Sequence, residues 1–229
     1  MKLSIVIPVY NETATILEVI NSVKNINIGC DKEIIVVNDG STDNTAQILD
    51  SIEDRMIKIY HHKKNQGKGV ALKTGFRNLS GDIVIIQDAD LEYDPGEYNN
   101  LLDPIINHNA DVVYGSRLSG GRPTRAYMFW HKAGNSILTF LTNILYNTTI
   151  TDMETGYKVF KRAVVDNLDI KSRDFTVEAE ITAKIFKNKY KVYEVPISYY
   201  GRSYSEGKKI RWYHGLSAIW ALLKYKFID

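Results

Sequence analysis

Cysteine is nearly absent from the 229-residue chain: Cys30 stands alone, which rules out an internal disulfide and a thiolate metal cage. Long apolar runs are missing too. No stretch approaches the roughly 18–20 residues of a membrane span, and the longest candidate, Ile137 to Tyr146, is interrupted by Thr139, Thr142 and Asn143. The opening MKLSIVIPVYNE has too short an apolar core for a signal peptide and runs into a polar turn. No charge of one sign dominates: the formal net charge is +2, too even for wholesale nucleic-acid binding. G-x-x-x-x-G-K-[ST] does not occur, and no G-x-G-x-x-G follows the first apolar run, so a P-loop and a nicotinamide-binding unit are excluded. The five histidines have no ligand spacing, and surface or packing roles are expected for all of them. These absences leave a cytoplasmic globular protein as the expectation, with peripheral contact to a membrane surface open.

What is present is the composition of an ordinary globular chain, 44% hydrophobic and 24% charged, long enough for one substantial core. A single domain over residues 1–229 is expected, with no internal repeat or low-complexity linker. Short β-branched runs alternate with helix-period segments through the first half. Leu3–Val9, Glu33–Val37, Ile57–His61, Ile83–Gln87 and Asp111–Tyr114 read as strands. Thr13–Asn25, Thr42–Glu53, Gly69–Leu79 and Glu97–Asn107 carry helical spacing. Ser41 or Thr42 suits the cap of the second helix, and Pro95 suits a helix start. The alternation predicts an α/β fold with a mostly parallel central sheet covered by helices. Further on, helices are expected near 128–146, 177–186 and, as an amphipathic C-terminal helix, 212–225. Strands are expected near 158–160 and 190–198.

Ligands of open parallel sheets sit beyond the carboxyl ends of the strands. Three polar clusters fall there: Pro8-Val9-Tyr10-Asn11-Glu12, Asn38-Asp39-Gly40-Ser41-Thr42-Asp43 and Asp88-Ala89-Asp90. In IIQDADLEYD the carboxylates of Asp88, Asp90, Glu92 and Asp94 alternate, and like charges so placed repel. In extended chain Asp88 and Asp90 face the same way, with Cα atoms about 6–7 Å apart. Mg²⁺ or Mn²⁺, which commonly takes one or two carboxylates plus substrate phosphates, would relieve the crowding. A solvated acidic strand end is the plainer alternative. Gly40 and Gly67 would equally serve simple left-handed turns.

Taken in order, SIVIPVYNE, VVNDGSTDNT, NQGKGVALKTG and DADLEYDP closely resemble the inverting glycosyltransferases of family 2. DVVYGSR, DMETGYKVFKR and FTVEAEI look like the branch of dolichyl-phosphate mannosyltransferases and polyprenyl-phosphate sugar transferases. The resemblance covers most of the chain. It implies a single GT-A (Rossmann-like) domain, residues 1–117 forming the nucleotide-sugar half and 118–229 the acceptor half. It implies transfer, with inversion, from a UDP- or GDP-sugar to a polyprenyl phosphate. Pro8, Tyr10 and Glu12 match the motif that lines base and ribose, Asp39 the acid that meets the base ring, and Lys68 the loop near the nucleotide. Asp88 and Asp90 match the metal-binding D-x-D, Asp88 towards ribose or sugar. Glu92 stands where the mannosyltransferases commonly carry Gln and is a third candidate ligand, a departure that leaves sugar and nucleotide open.

On the acceptor side, Arg117 matches the family's phosphate arginine, and Arg125 and Arg202 are further candidates. Arginine suits a phosphate through bidentate, permanently charged contact. Arg122 and Arg125 read equally as solvated loop charges, and His131 and Lys132 stand where another arginine is common. Asp152 matches an acid near the reacting sugar, an orienting group or a base for a hydroxyl acceptor; a helix cap is its plainer role. Glu178 and Glu180 cannot share one helical face, so one is expected towards the site, with Glu180 the candidate, and one towards solvent. Phe129, Trp130, Trp212, Trp220, Lys132, Arg211, Lys224 and Lys226 are the mixture of interfacial helices. They favour a membrane surface, with packing on the domain itself or on a second chain as the plainer alternative; a homodimer or a membrane-protein partner is open. Transfer to a sugar hydroxyl, and a non-catalytic nucleotide-sugar-binding domain, are the competing readings.

Overall fold

The computed structural model describes residues 1–126, 128–203 and 214–228. Seven strands form one sheet in the order β3-β2-β1-β4-β6-β5-β7. They are β1 (Lys2–Val9), β2 (Asp31–Asn38), β3 (Ile57–His61), β4 (Ile83–Ile86), β5 (Val112–Ser116), β6 (Lys158–Lys161) and β7 (Val192–Pro196). Only β6 runs against its neighbours β4 and β5. All seven expected strands are present, β3 with the expected bounds and the others shifted by a residue or two at one or both ends.

Period-two alternation divides the core. Ile5, Ile7, Ile34, Val36, Ile83 and Ile85 face one side, against α1 (Ile16–Asn25) and α4 (Tyr98–Asn107). Val6, Ile35, Val37, Val84 and Ile86 face the other, against α3 (Lys68–Arg77), α7 (Val177–Lys187) and α8 (His214–Phe227). Strands apolar on both faces therefore lie buried between two helical layers, as parallel strands must. Helices α2 (Thr45–Asp50) and α5 (Phe129–Tyr146) complete the expected set. The short α6 (Arg162–Asp166) was not legible, because five residues carry no helical period. Trp212 and Arg211, expected in the last helix, lie outside the described residues, as does most of GRSYSEGKK.

Neither Ser41 nor Thr42 caps α2. The helix starts at Thr45, where Asp43 Oδ1 accepts from the Thr45 N–H at 3.0 Å. Ser41 Oγ instead accepts from Asn11 N–H at 2.9 Å and Thr42 N–H donates to Asn11 Oδ1 at 2.8 Å, tying the loop after β2 to the loop after β1. Pro95 does open a turn of 3₁₀ helix before α4, capped by Asp94, whose carboxylate accepts from Gly96 N–H. Because β2 lies on one side of β1 and β4 on the other, the order reverses at β1, and the crevice of a doubly wound sheet opens between the ends of β1 and β4.

At the opposite edge of the sheet, Glu33 is buried and bonded by Ser4 Oγ at 2.6 Å and Ser80 N–H at 2.5 Å, with Lys58 Nζ at 2.9 Å. Burial pushes its carboxyl up, but the bonds from Ser4, Lys58 and Ser80 outweigh burial and hold it well below the usual range. A depressed carboxyl stabilises the fold fully above its unfolded value near ~4.3 and loses that contribution as pH falls towards the folded value. Glu33→Ala should therefore lower unfolding stability by about 2–4 kcal/mol at pH 7, with a smaller gap from wild type at pH 3, read by urea melts at both pH values.

Candidate active site

The loops after β1, β2 and β4 meet at the crevice, so the three polar clusters converge. Strand β4 ends at Ile86, however, and the chain turns at Ala89–Asp90 rather than continuing extended. Leu91 then adopts a left-handed φ of 60°, which breaks the alternation that would have aligned Asp88, Asp90 and Glu92.

The carboxylates are divided between Lys68 and the segment 199–202. Asp88 Oδ1 pairs with Lys68 Nζ at 2.7 Å, and Lys68 also reaches Glu178 at 3.0 Å. Burial lowers the Lys68 pKa, but Asp88 and Glu178 raise it more, so the ammonium is held charged. Glu178 is shared with the fully buried Lys158, giving a Lys–Glu–Lys row beneath the site. Asp90 Oδ2 accepts from Arg202 Nη2 at 3.2 Å. Burial, then the charges of Asp88 and Glu92, push the Asp90 carboxyl up to about 7. Glu12 accepts from both terminal nitrogens of Arg202 at 3.1 Å. Glu92 accepts from the Tyr199 hydroxyl and from Arg202 N–H, each at 2.6 Å.

On the nucleotide side, Pro8 pairs in register with Val37 near the end of β1, and Tyr10 follows the strand, half-buried. Asp39 accepts from Gln66 N–H at 3.0 Å and Gly67 N–H at 2.7 Å, and lies 2.7 Å from His62 Nδ1. Asp39 thus fixes the loop that starts α3. Gly67 has a left-handed φ of 96°, and a Cβ there would lie 2.1 Å from the Arg173 carbonyl oxygen, so glycine is required.

On the acceptor side, Arg117 and Asp152 form a buried bidentate pair, Nε–Oδ2 and Nη2–Oδ1 both at 2.7 Å. Asn135 of α5 adds a bond to Asp152 at 2.7 Å. Burial raises the Asp152 carboxyl, but Arg117 and these bonds more than offset it, so Asp152 stays an anion below the usual carboxylate range. That environment suits a structural counter-ion rather than a base or a helix cap. Arg117 also lies over the Tyr199 ring, 5.0 Å from its centroid, so one tyrosine joins Arg117 to Glu92. Arg125 Nη1 donates to the Gly201 carbonyl at 3.0 Å, supporting this same segment.

Both Glu178 and Glu180 are buried, so neither faces solvent. Glu178 is the one at the site. Glu180 accepts from Lys171 and Ser172 N–H groups at 2.8 and 2.7 Å, shaping the loop that packs on Gly67 and Gly69. A charged pair one helical position either side of Ala179 gave no sequence signal for two buried acids. Sequence reasoning also passed over His62, Tyr199 and Glu154. Burial and the neighbouring Glu178 push the Glu154 carboxyl up to about 7, against Lys158 and Arg117, and its Oε1 has no hydrogen-bond partner. Only its place inside DMETG, two residues from Asp152, could have marked it.

Among the described residues no three acidic or histidine side chains converge as a finished metal cage. Two hard carboxylates, Asp88 and Asp90, the second pushed up by burial and then by the charges of Asp88 and Glu92, still fit a cation completed by substrate phosphates.

The glycosyl transferase family 2 model matches residues 4–169. The UDP-N-acetylglucosamine–dolichyl-phosphate N-acetylglucosaminyltransferase of Methanococcus voltae is 31% identical over 97% of this chain and 95% of its own length. The dolichol-phosphate mannosyltransferase of Pyrococcus furiosus is 30% identical over 99% of this chain and 65% of that longer protein. In fold, the chain is similar to glucosyl-3-phosphoglycerate synthase of Mycobacterium tuberculosis, crystallised with Mn²⁺, UDP and phosphoglyceric acid. That likeness has a TM-score of 0.76 at 22% identity and covers 100% of this chain and 79% of that one.

Gly156 lies hard against the acidic loop: a Cβ there would lie 2.2 Å from Asp88 Oδ2 and 3.1 Å from the Tyr93 ring. Gly156→Ala must displace Asp88. A sugar-transfer assay on the folded variant should show a loss of about 10²-fold in kcat/KM, the scale of a 1 Å misplacement.

Proposed function

The chain belongs to glycosyltransferase family 2, and from that premise we propose that it transfers a sugar, with inversion, from a UDP- or GDP-sugar to a polyprenyl phosphate. The observation that carries the acceptor is the Arg117–Asp152 pair. A hydroxyl nucleophile needs a general base, whereas a lipid phosphate is already an anion and needs a fixed positive charge. Both oxygens of Asp152 are taken by Arg117 and Asn135 and its carboxyl is held below the usual range, which makes it a weak base, and Arg117 supplies that charge. The names of the relatives from Methanococcus voltae and Pyrococcus furiosus, both dolichyl-phosphate transferases, point the same way.

In this reading the nucleotide lies in the crevice between the ends of β1 and β4. Tyr10 and Glu12 line it, the Asp39–His62 pair fixes the floor of its base pocket, and Lys68 faces the phosphates. Asp88 and Asp90 would hold Mg²⁺ or Mn²⁺, which when bound supplies Lewis-acid stabilisation to the departing diphosphate. Arg117 grips the acceptor phosphate with its Nη1 side, because Asp152 occupies the Nε–Nη2 edge. A phosphate oxygen then attacks the anomeric carbon opposite the leaving group. The new C–O bond forms as the bond to the β-phosphate breaks, and the electron pair departs with the diphosphate. The fixed Arg117–Asp152 geometry reduces the reorganisation this step requires.

A membrane-presented acceptor also accounts for the surface of α5 and α8. The two helices pack side by side, with Tyr146 hydroxyl donating to the Leu222 carbonyl at 2.7 Å. Trp130 is 82% and Trp220 64% exposed, beside exposed Phe129, Phe140, Ile144, Leu216 and Phe227. Monomers rarely expose apolar surface so densely. No helix among the described residues is long and apolar enough to cross a membrane, so these faces lie on the lipid rather than through it.

Glu154 favours one second reading, transfer to a sugar hydroxyl, because a carboxyl poised near neutrality could serve as its base.

A panel of UDP- and GDP-sugars, read by nucleoside diphosphate release with polyprenyl phosphate or free sugars, separates the two. Release should require the lipid phosphate. Asp88→Asn and Asp90→Asn should lower it by at least ~10²-fold, and Arg117→Gln should do the same. Glu154→Gln should leave the pH profile through 7 unchanged. If Glu154 were the base, the wild-type rate would rise with pH through about 7 as the carboxyl ionises, and the variant would lose that rise.

Lipid binding is checked separately. Trp130→Ser with Trp220→Ser should lower co-sedimentation with phospholipid vesicles several-fold, while transfer to a short-chain, detergent-soluble acceptor stays within about twofold.

A further inference from the structure

Glu92 resembles a metal ligand by position, but its surroundings show a different employment. Oε1 accepts from Arg202 N–H and Oε2 from the Tyr199 hydroxyl, both at 2.6 Å, and its main-chain carbonyl accepts from Tyr200 N–H at 3.0 Å. The left-handed turn at Leu91 directs it to that task and away from the line of Asp88 and Asp90. Three bonds therefore fasten the segment 199–202 to the acidic loop. The fastening delivers the Arg202 side chain to Glu12 at 3.1 Å and to Asp90 at 3.2 Å, so that a guanidinium lies against one of the two carboxylates the cation would use.

We infer that Glu92 is the anchor of the 199–202 segment and not a cation ligand, and that Arg202 is an internal counter-ion which a cation at Asp90 must displace. The inference rests on the proposed cation site at Asp88 and Asp90. Its physical basis is competition between positive charges: a guanidinium hydrogen-bonded to Asp90 repels an arriving divalent ion and occupies one of its ligand atoms. Glu92 acts through Arg202, which makes it a positioning residue. Once displaced, Arg202 remains tethered at residues 199–202, one tyrosine away from Arg117. Loading the donor side thus frees a second arginine for a phosphate group.

The two roles for Glu92 predict opposite signs in one measurement, the binding of Mn²⁺ alone, without nucleotide, followed by electron paramagnetic resonance. An anchor that is removed releases the competing guanidinium, so Glu92→Ala should tighten Mn²⁺ binding, as should Arg202→Gln, by about tenfold. Tyr199→Phe, which deletes only one hydroxyl, should shift affinity the same way by a smaller factor and keeps the test informative if Glu92→Ala does not fold. Asp90→Asn should weaken binding. Weaker or unchanged Mn²⁺ affinity in Glu92→Ala or Arg202→Gln, with circular dichroism like wild type, would overturn the inference. Wild-type titrations repeated with UDP and with GDP report on the cation site itself. If Mn²⁺ binds neither wild type nor any variant, with or without nucleotide, the cation site of the proposed function is the casualty; if wild type binds it and Glu92→Ala does not tighten that binding, only the role given to Glu92 falls.

Discussion

Too many carboxylates at one edge of the sheet is the constraint from which the rest of the site follows. Glu12, Asp88, Asp90 and Glu92 all gather beyond the ends of β1 and β4; Glu12 and Glu92 are less than a tenth exposed, and the side chains of Asp88 and Asp90 a fifth. Buried like charges are costly unless each finds a partner. Lys68 answers Asp88, Arg202 answers Glu12 and Asp90, and the hydroxyl and N–H of residues 199 and 202 answer Glu92. Even so, Asp90 is left with its pKa near neutrality. A fold that keeps an unresolved surplus of negative charge in a crevice is prepared for a cation.

The acceptor side solves the inverse problem. Arg117 is a partly buried cation, and a single buried anion, Asp152, holds it bidentately. The pair is nearly neutral as a unit, which lowers the cost of its burial, and Asp152 takes only the Nε–Nη2 edge of the guanidinium. Asp152 is itself set by Asn135 of α5 and by the turn at Thr151–Asp152, whose N–H groups donate to Glu194 of β7. Helix α5 thus serves two ends at once. One residue of it bonds to Asp152, the partner of Arg117, while its outer face carries Trp130 and Phe140 into solvent. In the proposed reading, this places the charge that meets the phosphate directly behind the surface that meets the lipid.

The fold was legible because its signals are local. Ile34-Ile35-Val36-Val37 and Ile83-Val84-Ile85-Ile86 are apolar on both faces, and only a strand between two helical layers satisfies that pattern. The ends of those strands named the site in outline, since topology alone sends β1 and β4 to one crevice. Partner choice was not legible. Alternating acids in IIQDADLEYD suggested one aligned row, and a single positive φ at Leu91 dismantled it. Glu92 pairs with residues 107 and 110 positions away, and no spacing rule reaches so far. His62 looked like one of five unremarkable histidines because its importance lies wholly in facing Asp39 across the loop.

Long-range pairing also explains why donor and acceptor chemistry share one body. Lys68, which faces the nucleotide crevice, depends on Glu178 of α7, and Gly67 and Gly69 pack so closely on residues 172 and 173 that a methyl group would not fit. Arg202 completes the charge balance of Glu12, 190 positions before it in the chain. Neither set of charges is satisfied by its own stretch of sequence. A change in the acceptor segment at 199–202 must therefore alter the potential felt at Asp90, and neutralising Asp90 must loosen the hold on Arg202. The two sites are coupled because they use the same guanidinium.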